Sequence, residues 1–255
     1  MAGRRPIQLE MRAITEAQAH PRTWGGKRTG AGRPRKVAAQ RTFVAHAARP
    51  LHKKRHPVHV TVRARKGLPS FRSQLVHRML SGILARQPFR RYRDVFQVVH
   101  FSIQSNHLHL VIEATDKRAI RSGVSGLVIA FAKRLNALLG RLTGKVWGDR
   151  YHARALTTPA EVRSALVYVL QNFKKHGTTT HGGPIVDHRS SAPSFDGWRH
   201  EVVSLPTPVP WTPRHARTWL LEEGWRLRSG GLLHPAEQPA TPGAVRRDIG
   251  FPQYG

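Results

Sequence analysis

Polar and apolar residues alternate from Asn106 to Glu113. A period of two puts His107, His109, Val111 and Glu113 on one side of a strand and Leu108, Leu110 and Ile112 on the other. His59-Val60-Thr61-Val62-Arg63 alternates in the same way and predicts a strand over 59–63, and a run rich in Val and Phe predicts another over 93–102. Between these two the spacing changes to three and four. Phe71, Leu75, Met79, Leu80 and Ile83 predict a helix over 70–86, opened by Pro69-Ser70. A longer stripe, Ile120, Val124, Leu127, Val128, Phe131, Leu135, Leu138 and Leu142, predicts a helix over 116–141, with Lys133, Arg134 and Arg141 off the stripe. A fourth strand follows over 145–156, carrying Trp147 and Tyr151, and a third helix over 159–175.

The order strand–helix–strand–strand–helix–strand predicts an α+β, ferredoxin-like βαββαβ fold. Its sheet is antiparallel, both crossover helices lie on one face, and the other face is left free for a ligand. The histidine strand is central in such a sheet. Three parts are expected: a basic arm over 1–56, a catalytic domain over 57–177 and an irregular appendage over 178–255. The appendage has Phe195, Trp198, Trp211 and Trp219 as packing anchors, a short helix near 213–222 and a loose end.

Charge sharpens the picture. The 255 residues hold 43 Lys and Arg against 14 Asp and Glu, a formal net charge of +29. An excess of this size points to a polyanion, and DNA or RNA fits better than a membrane because no amphipathic anchor with bulky apolar residues accompanies the charge. The apolar runs are too short to span a bilayer, and the basic N-terminus has no apolar stretch behind it, so neither a membrane span nor a signal peptide is expected. There are no cysteines, which excludes thiolate metal sites and disulfides and is compatible with a cytoplasmic protein. The first 56 residues carry 14 Lys and Arg against two Glu. Within them Gly30-Ala31-Gly32-Arg33-Pro34-Arg35-Lys36 is similar to an AT-hook. Arg33, Arg35 and Lys36 are therefore candidate DNA contacts, in the minor groove or on phosphates.

Two imidazoles at i and i+2 of a strand are close enough to share a metal ion. With 16 histidines in the chain, such a pair also arises by chance, so it needs a partner. The partner is Tyr168. On the helix over 159–175, Val162, Leu166, Val169, Leu170 and Phe173 share one arc, and Tyr168 lies roughly 145° from its centre at 100° per residue. There it accompanies Glu161, Ser164, Gln171, Asn172 and Lys175. A tyrosine outside the apolar arc can act as a covalent nucleophile. Against a phosphodiester it needs a polarised phosphate, loss of the phenolic proton and nearby cations. A divalent ion on two imidazoles and a carbonyl or amide oxygen supplies the first, and Arg154 and Lys175 are candidates for the last. Imidazole favours Mn²⁺, Co²⁺ or Ni²⁺ over Mg²⁺, although availability leaves Mg²⁺ open.

Asn106-His107-Leu108-His109-Leu110, then Trp147 with Arg150-Tyr151, then Tyr168-x-x-x-Asn172-x-x-Lys175-His176-Gly177 resembles the single-tyrosine HUH transposases, in particular the REP-associated tyrosine transposases of bacteria. The resemblance spans roughly 58–177. It implies metal-assisted attack by tyrosine on single-stranded DNA near hairpins, a 5′-phosphotyrosine link and a free 3′-OH. By position it makes His107 and His109 the metal pair, Tyr168 the nucleophile and Asn172 the third metal ligand, with Gln171 as the other option. It adds Arg150 to the DNA-contacting residues and implies a Mg or Mn cofactor and action as a monomer or homodimer. Gln104-Ser105 stands where the family usually has Met-Pro, and Phe173 where it often has Pro. Two other readings keep the fold: a DNA-binding protein without efficient chemistry, and an HUH replication initiator or relaxase. The second is disfavoured by the lack of a Gly-x-x-x-x-Gly-Lys-[Ser/Thr] loop.

Overall fold

Val58, Val60 and Val62 on one strand and Leu108, Leu110 and Ile112 on its neighbour are all at most 2% exposed and form the floor of the larger core. The computed structural model describes residues 50–86, 94–176, 185–205 and 214–239, without the side chains of Lys175 and His176. The AT-hook-like Arg33, Arg35 and Lys36, and most of the basic arm, lie outside these residues.

The elements run β1 (Val58–Arg63), α1 (Gln74–Arg86), β2 (Phe96–Ile103), β3 (His107–Ala114), α2 (Lys117–Leu138), β4 (His152–Ala155) and α3 (Pro159–Gln171). A 3₁₀ turn, Asn172–His176, continues α3. The strands form one sheet in the order β2-β3-β1-β4, and every neighbouring pair is antiparallel. This is the predicted ferredoxin-like arrangement, with the histidine strand inside the sheet.

On the first face the sheet packs against Phe71, Leu80 and Leu84 from the α1 side and Val124, Leu127 and Phe131 from α2. Asp116 caps α2 by accepting from the Ala119 N–H at 2.8 Å. Gly123 lets that helix sit close to the sheet, because a Cβ there would lie 2.4 Å from the Phe96 ring. β2 bulges at Val99, between the Val98↔Ile112 and His100↔Val111 pairs. The extra residue leaves Val99 and His100 both on the second face and brings Phe101 and Ile103 back to the first.

The second face differs from expectation. It carries a core of its own, in which Val99 and Val111 meet Val162, Leu166 and Leu170 of α3 and, from the C-terminal segments, Phe195, Leu221 and Trp225. The sheet is therefore covered on both sides, and only part of the second face remains for a ligand. The cause is the composition of α3, where apolar residues outside the predicted arc (Ala165 and Val167) are buried as well. A helix apolar on most sides needs cover on most sides.

Other expectations are trimmed. The fourth strand is short, and of its predicted start only a single bridge, Ala64↔Trp147, joins the sheet. Trp147 is held instead by its indole N–H donating to the Val128 carbonyl at 2.8 Å and by edge contact with Phe71. The α2 stripe ends at Leu135. Leu138 and Leu142 are exposed, as is Leu75 on α1. The helix expected near 213–222 is a π turn, Leu220–Gly224, running into a short helix, Trp225–Arg228. Trp225 is its buried anchor, while Trp219 is half exposed and Trp211 lies outside the described residues. Trp198 and Phe195 pack as expected, at 5.2 Å between ring centroids. Among the described residues no helix is long and apolar enough to cross a membrane.

Candidate active site

Pairing of β1 with β3 decides what surrounds the two histidines. Arg63 is opposite His107, Thr61 opposite His109 and His59 opposite Val111. β4 adds His152 opposite Thr61 and Arg154 opposite His59. Side chains of paired residues share a face, so this end of the second face carries His59, Thr61, Arg63, His107, His109, His152 and Arg154.

The histidine rings stand 4.7 Å apart and nearly perpendicular. Tyr168 reaches them from α3, with its ring 5.0 Å from His109 in an edge contact and 5.7 Å from His59. The tyrosine and the histidine pair, about sixty residues apart in the chain, thus meet on one surface. Tyr168 is half-buried. Burial pushes its phenol up from the usual value, and the Arg63 guanidinium pulls the other way.

Proton positions follow from the neighbours. The Nδ1 of His107 lies 2.8 Å from Asn106 Oδ1, which can only accept, so Nδ1 carries the hydrogen. The Nδ1 of His109 lies 3.1 Å from Thr61 Oγ1 and 3.2 Å from His59 Nε2. Burial, together with His152 and Arg154, pushes His59 down to about 4, so it is neutral at pH 7 and can accept from His109. Both members of the pair can thus carry the hydrogen on Nδ1, the tautomer that would turn Nε2 towards a divalent ion.

Asn172 is 1% exposed, sits one turn beyond Tyr168, and its Nδ2 meets no hydrogen-bond partner among the described residues. Gln171 is committed elsewhere: its Nε2 donates to the His234 carbonyl at 3.0 Å and its Oε1 accepts from Lys174. Of the two expected third ligands, Gln171 is thus engaged through both amide atoms, and Asn172 is buried one turn beyond Tyr168. Among the described residues no group of three His, Asp or Glu side chains could hold a metal ion. Two imidazoles and an amide, a mixed N/O set, would suit Mn²⁺ better than Mg²⁺.

The predicted cations separate. Arg154 is on the site face but pairs with Glu161. Arg150 lines a cavity of about 550 Å³ between α2 and β4, with Lys117, Arg121 and Tyr151, on the opposite face of the sheet. The side chain of Lys175 lies outside the described residues. Sequence reading passed over His59, Thr61 and Arg63. Their signal was the alternation of β1, which becomes informative only when its register against β3 is known.

Buried histidines make the fold acid-sensitive. Burial lowers His100 to about 4, against an opposing pull from Asp196, and lowers His77 to about 4 as well. Between pH 6.5 and 4 the unfolded chain binds protons at these positions that the folded one does not, so the histidines' contribution is flat above pH 6.5 and stability falls as the pH drops towards 4. At about 1.4 kcal/mol per pH unit, His100 alone accounts for up to roughly 3 kcal/mol. Urea unfolding at pH 7.5 and 4.5 measures the loss, and His100→Phe flattens the dependence. An equally steep dependence in that variant would remove His100 from the account.

No protein-family profile matches the chain, and no curated protein matches it significantly. Two solved structures are similar over about half of it. One is a REP-associated tyrosine transposase bound to a REP hairpin, at 20% identity and a TM-score of 0.40, covering 53% of this chain and 76% of that one. The other is a candidate transposase from Deinococcus radiodurans R1, at 18% identity and a TM-score of 0.34, covering 47% of this chain and 88% of that one.

Proposed function

We propose that this chain is a single-tyrosine DNA strand transferase, which cleaves and rejoins single-stranded DNA beside hairpins as a transposase does. One observation carries the reading. Tyr168 touches His109, and His109 is half of a histidine pair on an inner strand. The net charge of +29 supplies affinity for the polyanion.

In this reading the phenol oxygen of Tyr168 attacks the scissile phosphorus. A P–O bond to tyrosine forms and the P–O3′ bond breaks. The phenolic proton passes to solvent, and the leaving O3′ takes up a proton to become a free 3′-OH. The 5′-phosphate stays on Tyr168. Attack by another 3′-OH reverses the step and joins the strands without an external energy source. A divalent ion, Mn²⁺ or Mg²⁺, would be held by His107, His109 and Asn172 and would polarise the phosphate as a Lewis acid. Asn106, Thr61 and His59 keep the two rings in register for it. Because burial raises the phenol, Tyr168 stays protonated at neutral pH until attack is under way, so positive charge close to the phosphate matters.

The pair is tested by His107→Gln and His109→Gln. Each is expected to weaken Mn²⁺ binding, read by paramagnetic resonance, by at least about tenfold. Each should also lower the yield of covalent protein–DNA product by about 10² or more, with an unchanged circular dichroism spectrum. Undiminished product in EDTA would dismiss the metal role. Tight hairpin binding with no product under any metal would favour a binding protein of the same fold.

A further inference from the structure

Tyr168 and the histidine pair leave one requirement of phosphoryl transfer unassigned: a fixed cation for the non-bridging oxygens of the scissile phosphate. Among the described side chains four cations were candidates or neighbours. Arg154 is neutralised by Glu161. Arg150 lies at the cavity on the far face. Lys174, on the 3₁₀ turn after α3, donates to Gln171 and to the Pro235 carbonyl, towards the C-terminal segment. Arg63 is different on every count. It ends β1 directly across from His107, so its side chain rises on the same face. It is exposed, and among the described residues it forms no salt bridge. Its backbone is anchored, since the Gly148 N–H donates to the Arg63 carbonyl at 2.9 Å.

We infer that Arg63 is the phosphate clamp of this site, binding a non-bridging oxygen of the scissile phosphodiester beside His107 while Tyr168 attacks. The inference rests on the proposed tyrosine chemistry and adds a residue to it. The guanidinium offers paired N–H donors in a plane that match two phosphate oxygens, and it cannot lose its charge at working pH. Its position on a strand end, tied into the sheet on one side by β3, suits a contact that must hold still as charge moves from the phenol to O3′. The field it exerts on the Tyr168 phenol is the same effect on the attacking atom. Arg63 is exposed, so its substitution is expected to leave the fold in place.

The test uses the full chain with Mn²⁺ and a hairpin-flanked single-stranded oligonucleotide under single-turnover conditions. Arg63→Gln is expected to slow adduct formation by about 10² or more, as loss of a donor to developing charge does, with hairpin affinity changed by less than about fivefold. Arg63→Lys recovers part of the rate. The second arm replaces the scissile phosphate by a methylphosphonate, which removes the negative charge that Arg63 meets. The gap between wild type and Arg63→Gln then shrinks to about threefold or less. A variant that reacts at the wild-type rate on the normal phosphodiester, or one that keeps the full gap on the methylphosphonate, overturns the assignment to Arg63 and leaves the tyrosine chemistry standing. Failure of the wild type itself to form an adduct overturns both.

Discussion

Tyr168→Phe is expected to abolish the covalent DNA product, by at least about 10⁴-fold, while leaving hairpin binding within a few-fold of wild type. The substitution removes one oxygen from a half-buried ring and keeps the edge contacts with His109 and His59, so the helix and the pair stay in place. No other described tyrosine can take over. Tyr151 is 8% exposed within the core on the opposite face of the sheet, against α2. A mutant that retains product on a denaturing gel assigns the chemistry elsewhere, and Tyr92 would be the next residue to change.

The second large effect is on stability. Glu113 lies on β3, on the same face as the histidine pair, and is 4% exposed. Its carboxylate accepts from Gln97 Nε2 at 2.7 Å, from the Arg217 N–H at 2.9 Å, from the Thr218 N–H at 2.9 Å and from the Thr218 hydroxyl at 2.8 Å. Arg217 and Thr218 open the segment that carries Leu220, Leu221 and Trp225 onto α3. The carboxylate thus fastens the C-terminal segment to the strand that bears the site. Glu113→Ala leaves four donors short of an acceptor in a buried place, at a cost of about 3–5 kcal/mol. For a chain of this size that lowers Tm by about 10 °C. Hydrogen exchange should quicken first over 214–239 and then in α3. A Tm within about 2 °C of wild type would mean that the segment is held by its apolar contacts alone.

The fold and the candidate site were legible in the sequence to different degrees. Strand alternation exposed the β3 faces directly, because Leu108, Leu110 and Ile112 point to one core and His107 and His109 away from it. Element order then fixed the sheet, since two βαβ-like crossovers leave few antiparallel arrangements. What the sequence hid is non-local. The register of β1 against β3 brings Thr61, His59 and Arg63 beside the pair, and no local pattern encodes a register across some fifty residues. The polar side of α3 misled in one respect. Gln171 and Asn172 look solvent-facing by helical angle yet are buried, because the C-terminal segment folds over them through His234 and Pro235. Glu113 was read only as the end of a strand face. Its partners lie about a hundred residues away, where irregular backbone gives no periodic signal.

In the proposed reaction Tyr168 takes the 5′ end of a cut DNA strand. The most direct measurement is a denaturing gel of the wild-type protein with single-stranded hairpin oligonucleotides labelled at either the 5′ or the 3′ end, in Mn²⁺. The expected result is a slow band that survives SDS, requires metal and carries only the 3′ label, together with a shorter free fragment that carries the 5′ label and ends in a 3′-OH. A slow band that carries the 5′ label, or tight binding with no covalent band in either metal on any hairpin from the DNA flanking the gene, would contradict it.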